Sequence, residues 1–255
     1  MVIESIFMIR GGSFGFNWNS KLFLSIFIII LVIYDWKKNE RLDYFWIFLF
    51  GTIIWSMVEV SIQMGGTRIM LAKYLFGIEI PLWISAPLQG ISEGSAVAVL
   101  GTFGADKIRD EETRKSSIII FAVILLGLAF STLRDSVQFP FVGLFVPSIR
   151  DMFTITAVIF MSSMIAINII FFIKAEQEPR NRGIYLFFIM LIFISVWTLS
   201  EWLAGTRWIE VGLYPFLSRA PPLIEFGTLA YDVVVEIVLA YVPYLAIPYM
   251  LGLIE

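Results

Sequence analysis

Apolar residues in this chain come in seven long runs separated by short polar loops. They cover approximately 20 to 36, 43 to 64, 80 to 103, 116 to 133, 151 to 173, 183 to 204 and 222 to 250. Each is close to the ~20 residues that carry a helix across a ~30 Å hydrocarbon core. The pattern predicts an all-α integral membrane protein with seven transmembrane helices in one membrane domain over 20–255. Ahead of it, residues 1–19 combine a short apolar start, Arg10, three glycines and Asn17-Trp18-Asn19, and read as an N-terminal interfacial arm. No small-residue cleavage pattern follows an apolar run there, so no removed signal peptide is expected.

Inside the runs one element occurs twice. Trp55-Ser56-Met57-Val58-Glu59 is followed by Gly66-Thr67-Arg68 and, 25 residues after that arginine, by Glu93. Trp197-Thr198-Leu199-Ser200-Glu201 is followed by Gly205-Thr206-Arg207 and, again 25 residues on, by Asp232. The copies fall on spans two and three and on spans six and seven, an even number of helices apart, so they are parallel. The predicted arrangement is a 3+1+3 parallel internal repeat, with halves 20–103 and 151–250 and a linker helix at 116–133.

Composition adds the solvent and the exclusions. Of 255 residues, 59% are hydrophobic and 15% charged, and the mean hydropathy of +0.87 lies far above that of a soluble domain. The location implied is the cell membrane, multi-pass. A net charge of -3 without a basic run gives no reason to expect nucleic acid as a partner. With no His and no Cys, haem ligation, iron–sulfur clusters, disulfides, the usual zinc ligands and His-based nucleophilic catalysis are closed off. No metal site and no cofactor is expected.

The loops after spans one, three and five hold ten of the eighteen basic residues, among them Lys37, Lys38, Arg109 and Arg182. By the positive-inside rule this puts the N-terminus outside and the C-terminus inside.

Ionisable groups inside a membrane are costly and point to function by default. Four spacing puts Trp55 and Glu59 on one helix face, and likewise Trp197 and Glu201. Both glutamates lie about 24 to 27 Å along their spans, in the outer part of the membrane. Glu93 falls near the middle of span three with Gln89 one turn above it, and Asp232 and Glu236 pair at middle depth in span seven. Two carboxylates on one face repel unless paired or protonated. Arg68 and Arg207 are the expected partners, close to a shared vestibule. Arg134-Asp135 and Arg150-Asp151 bracket Phe139 to Pro147, a stretch that reads as a lid or as an ordinary interfacial loop.

The candidate catalytic residues are therefore Glu59, Glu93, Glu201 and Asp232. The candidate substrate-binding residues are Trp55, Trp197, Arg68, Arg207, Glu236 and Gln89. A purely structural ion-pair network is the competing reading of the same residues.

Glu59, Gly66-Thr67, Glu93, Glu201, Gly205-Thr206 and Asp232, on duplicated halves with Pro-started third helices, make the chain similar to membrane-embedded carotenoid enzymes. These are the heterodimer-type lycopene cyclases and bisanhydrobacterioruberin hydratases; meroterpenoid cyclases share the intramembrane acids. The Pro-x-Glu-Glu type motif of the lycopene cyclases is absent, so the resemblance is one of site and topology. It implies acid–base chemistry, a cyclisation or hydration, on an isoprenoid or carotenoid-like lipid. Glu93 or Asp232 would donate the proton, and Glu59 and Glu201 would stay ionised beside the arginines.

Sugar transporters share a 3+1+3 topology, and retinal proteins share seven spans, but no lysine lies in span seven to form a Schiff base. A transporter, channel or ligand-binding membrane protein using the same acids is the second reading. An accessory subunit of a membrane complex is the third. A membrane lipid or isoprenoid is the expected partner, and the sequence leaves room for a homo-oligomer or membrane-complex partner.

Overall fold

The computed structural model describes residues 5–11, 18–70, 72–138 and 148–254. In chain order the elements begin with β1 (Ser5–Arg10), α1 (Asn19–Asn39), α2 (Asp43–Met64), β2 (Arg68–Met70), β3 (Tyr74–Leu75) and β4 (Ile78–Glu79). Then come α3 (Leu82–Gln89), a π-helical segment (Gly90–Ser95), α4 (Ala96–Arg109), α5 (Arg114–Gln138) and β5 (Ser148–Asp151). The chain continues through α6 (Ile155–Lys174), α7 (Gln177–Leu203), β6 (Arg207–Leu213), β7 (Phe216–Arg219), α8 (Pro222–Tyr231), a second π segment (Asp232–Val238) and α9 (Leu239–Met250).

The seven apolar runs are seven helical paths. Six are long and apolar enough, by length and composition, to cross a membrane; the other runs through α3, the first π segment and α4. They pack around a core that includes Ile28, Ile47, Ala98, Val99, Leu186 and Tyr244. Large apolar side chains such as Leu126, Phe130 and Ile173 stay on the outside, 71–72% exposed, as lipid-facing residues do.

The all-α expectation is corrected by a five-stranded antiparallel sheet, ordered β2-β5-β1-β6-β7, over one end of the bundle. Its central strand is β1. What the sequence suggested as an interfacial arm is, over Ser5–Arg10, a strand hydrogen-bonded on both sides. Met8 and Ile209 face the helices with Met152 and Leu229, while Phe7, Ile9 and Trp208 form a separate cluster. Alternation of the pleat explains the division. The predicted lid, Phe139 to Pro147, lies outside the described residues.

The repeated Gly-Thr-Arg element is the joint between helix and sheet. Gly66 and Gly205 both take a left-handed conformation, φ 70° and 71°, which costs glycine little and ends a helix. After Gly205 the Thr206 amide donates to the Glu201 carbonyl (2.9 Å) and the Gly205 amide to that of Trp202 (3.0 Å), closing a Schellman-type cap. The arginine then stands at the start of a strand in each case.

Both helices that follow start behind a proline, Pro81 and Pro221, and both pass into a π segment after their first turns. In the first, Gly90 and Gly94 bring the backbone against α2. A Cβ at Gly94 would lie 2.6 Å from the Gly51 carbonyl oxygen, and one at Gly90 2.6 Å from that of Thr52. The Ser95 hydroxyl donates to the Phe48 carbonyl at 2.6 Å. Small residues permit this approach, and π turns recur where a helix is re-aimed at a functional site.

At the opposite end Arg182 clamps three helices. It donates to Asp43 (2.8 Å) and to both oxygens of Asp106 (2.8 and 2.7 Å), and the Tyr44 hydroxyl donates to Asp106 at 2.8 Å.

Candidate functional site at the sheet-capped end

Register puts the cations in one place. Arg68 is the cross-strand partner of Arg150, Arg150 of Met8, and Arg10 of Arg207. Directly opposed residues share a face, and so do residues two apart on one strand. Arg68, Arg150, Arg10 and Arg207 therefore all stand on the bundle-facing side of the sheet. Like charges opposite one another destabilise a ladder, so this face requires carboxylates from the helices below it.

The helices supply them. Arg207 donates to Glu201 (3.2 Å), to the Thr198 hydroxyl (2.8 Å) and to Asp232. Arg10 donates to both oxygens of Glu201 (2.8 and 3.1 Å) and its guanidinium lies 5.3 Å from the Trp197 ring centroid. Arg150 joins Asp232 (2.7 Å) to Glu236 (2.6 Å), which answers the repulsion expected of two acids on one face. Arg68 donates to Glu59 at 2.6 Å, and Gln63 donates to the same carboxylate. Lys21 reaches from α1 to Glu93 (2.8 Å) and to the Gln89 side-chain oxygen (2.5 Å). Lys73, in the loop after β2, donates to Gln63 (2.7 Å) and Ser85 (3.0 Å).

All ten residues singled out in the sequence thus join this network or the aromatic wall beside it. Trp55, Arg68, Glu93, Trp197, Arg207, Asp232 and Glu236 line a cavity of about 60 Å³, together with Arg10, Arg150 and Tyr241. Glu59, Glu201 and Gln89 stand one layer behind, holding the cations. Trp55 stacks on Tyr241 at 6.1 Å between centroids, and the Tyr241 hydroxyl donates to the Glu93 carbonyl at 2.6 Å. The second half of the chain is thereby tied to the first π segment.

Sequence reasoning missed Arg10, Lys21, Lys73, Arg150 and Tyr241. A signal for one of them was present: Arg10 ends the apolar string Ile6-Phe7-Met8-Ile9, which reads as a strand before the turn residues Gly11-Gly12.

Electrostatics follow from burial. On the strands, burial pulls the Arg150 guanidinium down, but Glu236 and Asp232 outweigh it and hold its pKa above the ordinary value. Burial prevails at Arg207 and lowers its pKa against the opposing pull of Asp232 and Glu201. Burial also lowers Lys73, with Glu59 acting the other way.

Further spaces lie among the helices. An apolar cleft of about 400 Å³ runs between α1, α4, α5 and α7, lined by residues that include Leu24, Val97, Leu100, Phe121, Met190 and Phe193. Val97 belongs to its wall and to the wall of the polar cavity. At the far end a wider opening of about 750 Å³ is lined by Arg41, Asp43, Asp106, Arg109, Glu178 and Arg182. These are the residues of the Arg182 clamp and its neighbours.

Comparison with protein-family models, with curated proteins and with solved structures finds no match to this chain.

Proposed function

We propose that the protein is a membrane enzyme that modifies an isoprenoid or carotenoid-like lipid by carboxylate acid–base chemistry, ending in a cyclisation or a hydration. One observation carries this reading. The polar cavity is covered by the sheet, while the apolar cleft beside it, parted from it at Val97, opens between helices toward lipid. A substrate dissolved in the bilayer needs that arrangement. A path for ions would need polar groups toward both ends, whereas below the cavity the bundle axis is filled by Ile47, Ala98, Val99 and Leu186.

An alkene offers no charge to grip, so the site must supply a proton and then stabilise the cation that forms. Asp232 lies between two guanidinium groups and Glu93 against Lys21, which fixes both as carboxylates. Glu236 has one guanidinium, shared with Asp232, and is the acid that carries the transferable proton. Its proton goes to an alkene carbon, and Trp55, Trp197 and Tyr241 face the resulting carbocation. In a cyclisation a second double bond closes on the cation and a proton returns to Asp232 or Glu93. In a hydration, water adds to the cation and gives up its proton to the same carboxylates. Glu59 and Glu201 orient the arginines.

The parallel 3+1+3 repeat is part of this reading. It is supported by the matching left-handed glycines, the arginines that reach back to a glutamate, and the proline-started helices whose π segments carry Glu93 and Asp232. The positive-inside pattern supports a sheet-capped end facing outward.

The test is incubation of the protein in nanodiscs with polyprenyl and carotenoid substrates. A new product should form that Glu236→Gln abolishes and Asp232→Asn reduces. Absence of product across the panel, or a product indifferent to both substitutions, would refute the assignment.

A further inference from the structure

The cavity is richer in positive charge and in hydrogen-bond donors than its own carboxylates can satisfy. Among the described residues, Arg10, Lys21, Arg68, Arg150 and Arg207 are the five cations paired around it. They meet Glu59, Glu93, Glu201, Asp232 and Glu236; with Glu236 carrying its proton, as in the reading above, four of these are negative. Among the described residues, three buried donors on residues that line the cavity have no acceptor: Trp55 Nε1, Arg68 Nε and Arg207 Nε. Arg207 is 2% exposed, so water outside the protein does not serve it. Buried donors without partners and a buried surplus of positive charge are both unfavourable. A single group that brings negative charge and several acceptor atoms relieves both, and guanidinium forks fit a phosphate or carboxylate best.

Size decides what else the ligand carries. About 60 Å³ holds a small oxyanion and the carbon that bears it, at roughly 10–15 Å³ per water-sized group. It does not hold an isoprenoid chain. The chain has the adjoining cleft, which follows α4 from Val97 to Lys107, ten residues or about 15 Å of helix. Its lining is almost wholly apolar, and Val97 alone is common to both walls.

We infer that the ligand is an isoprenyl phosphate, with its phosphate among Arg68, Arg150 and Arg207 and its chain leaving past Val97 into the cleft between α1, α4, α5 and α7. This rests on the reading of cavity and cleft as one lipid site and narrows its substrate class from any isoprenoid to one with an oxyanion head.

Binding is measured without turnover, by calorimetry and thermal shift on the full chain in a phosphate-free neutral detergent. The probes are farnesyl phosphate, farnesol and inorganic phosphate. Farnesyl phosphate should bind at least about tenfold more tightly than farnesol, the worth of one charge-assisted contact or more. Inorganic phosphate should fail to displace it at equal concentration. Val97→Trp, which fills the junction, should weaken farnesyl phosphate about tenfold, with the melting temperature of the free protein as its folding control.

Equal affinity for farnesol, displacement by inorganic phosphate at equal concentration, or full affinity in a folded Val97→Trp variant would each overturn the inference. If that variant does not fold, the comparison of the three probes on the wild type decides alone. The two proposals fail separately. Conversion of uncharged isoprenoids with no preference for a phosphate overturns the head-group assignment and leaves the acid–base reading. Tight farnesyl phosphate binding without a product from any isoprenoid supports the assignment and overturns the enzyme.

Discussion

Arg10 and Arg207 stand directly opposite each other across β1 and β6, and both grip one carboxylate, Glu201, at 2.8 and 3.2 Å. Opposed arginines repel, so the ladder holds at that point because α7 delivers an acid beneath it. Arg207 also binds Asp232, which makes it the common partner of the two acids of the second copy. Arg207→Gln leaves two buried carboxylates short of a cation and should cost about 3–5 kcal/mol, the usual penalty for breaking a buried pair from one side. In the double variant with Asp232→Asn the losses should fall short of the sum by more than about 0.5 kcal/mol. Denaturation in detergent measures both; strict additivity would show that the pair is not coupled.

A second expectation concerns α2 and the first π segment. Gly94→Ala drives a Cβ to 2.6 Å from the Gly51 carbonyl oxygen and from Trp55 Cβ, and should destabilise by about 1–3 kcal/mol, as overpacking does. Gly104→Ala is the control. Its nearest neighbour, Ile189 Cδ1, lies at 3.9 Å, an ordinary contact. Melting temperatures of the two variants should separate, with Gly104→Ala close to wild type.

The left-handed glycines give a purely conformational test. Nothing lies within 4 Å of a Cβ at Gly66 or Gly205, so alanine there meets no steric neighbour and costs only the left-handed backbone, about 1–2 kcal/mol each. The two losses should be similar and additive, because the glycines end different helices. A loss confined to one of them would separate the two joints that the proposed repeat equates.

The clamp at the far end separates stability from chemistry. Arg182→Ala removes the bridges to Asp43 and Asp106 and should lower stability by about 3–5 kcal/mol. In the fraction that remains folded, affinity for an isoprenoid should be unchanged, since Arg182 does not line the polar cavity. A matching fall in affinity per folded molecule would mean that the far opening takes part in binding.

The helices were legible because crossing a membrane demands about 20 apolar residues, and that demand is written in composition alone. Both acids of each copy and their arginines were legible too, since charge is conspicuous in an apolar run. The sheet was not. Its strands are four to seven residues at most where they matter, and an arginine such as Arg150 meets Asp232 only through cross-strand register, which no local pattern encodes. Lys21 hid for a related reason: it sits at the start of an apolar span and resembles an ordinary interfacial lysine until Glu93 arrives from another helix. The π segments left only a trace, in Gly90 and Gly94. The proton donor proposed here is Glu236 rather than Glu93 or Asp232, because the number of cations per acid depends on those unseen partners.

The most direct test of the acid–base account is product formation in deuterated water. Protein in nanodiscs with an isoprenoid substrate should yield product carrying one deuterium on carbon, at the position the enzyme protonates. Glu236→Gln, folded by its melting temperature, should yield none. Product without deuterium on carbon, or with the same deuterium content in Glu236→Gln, would contradict the account.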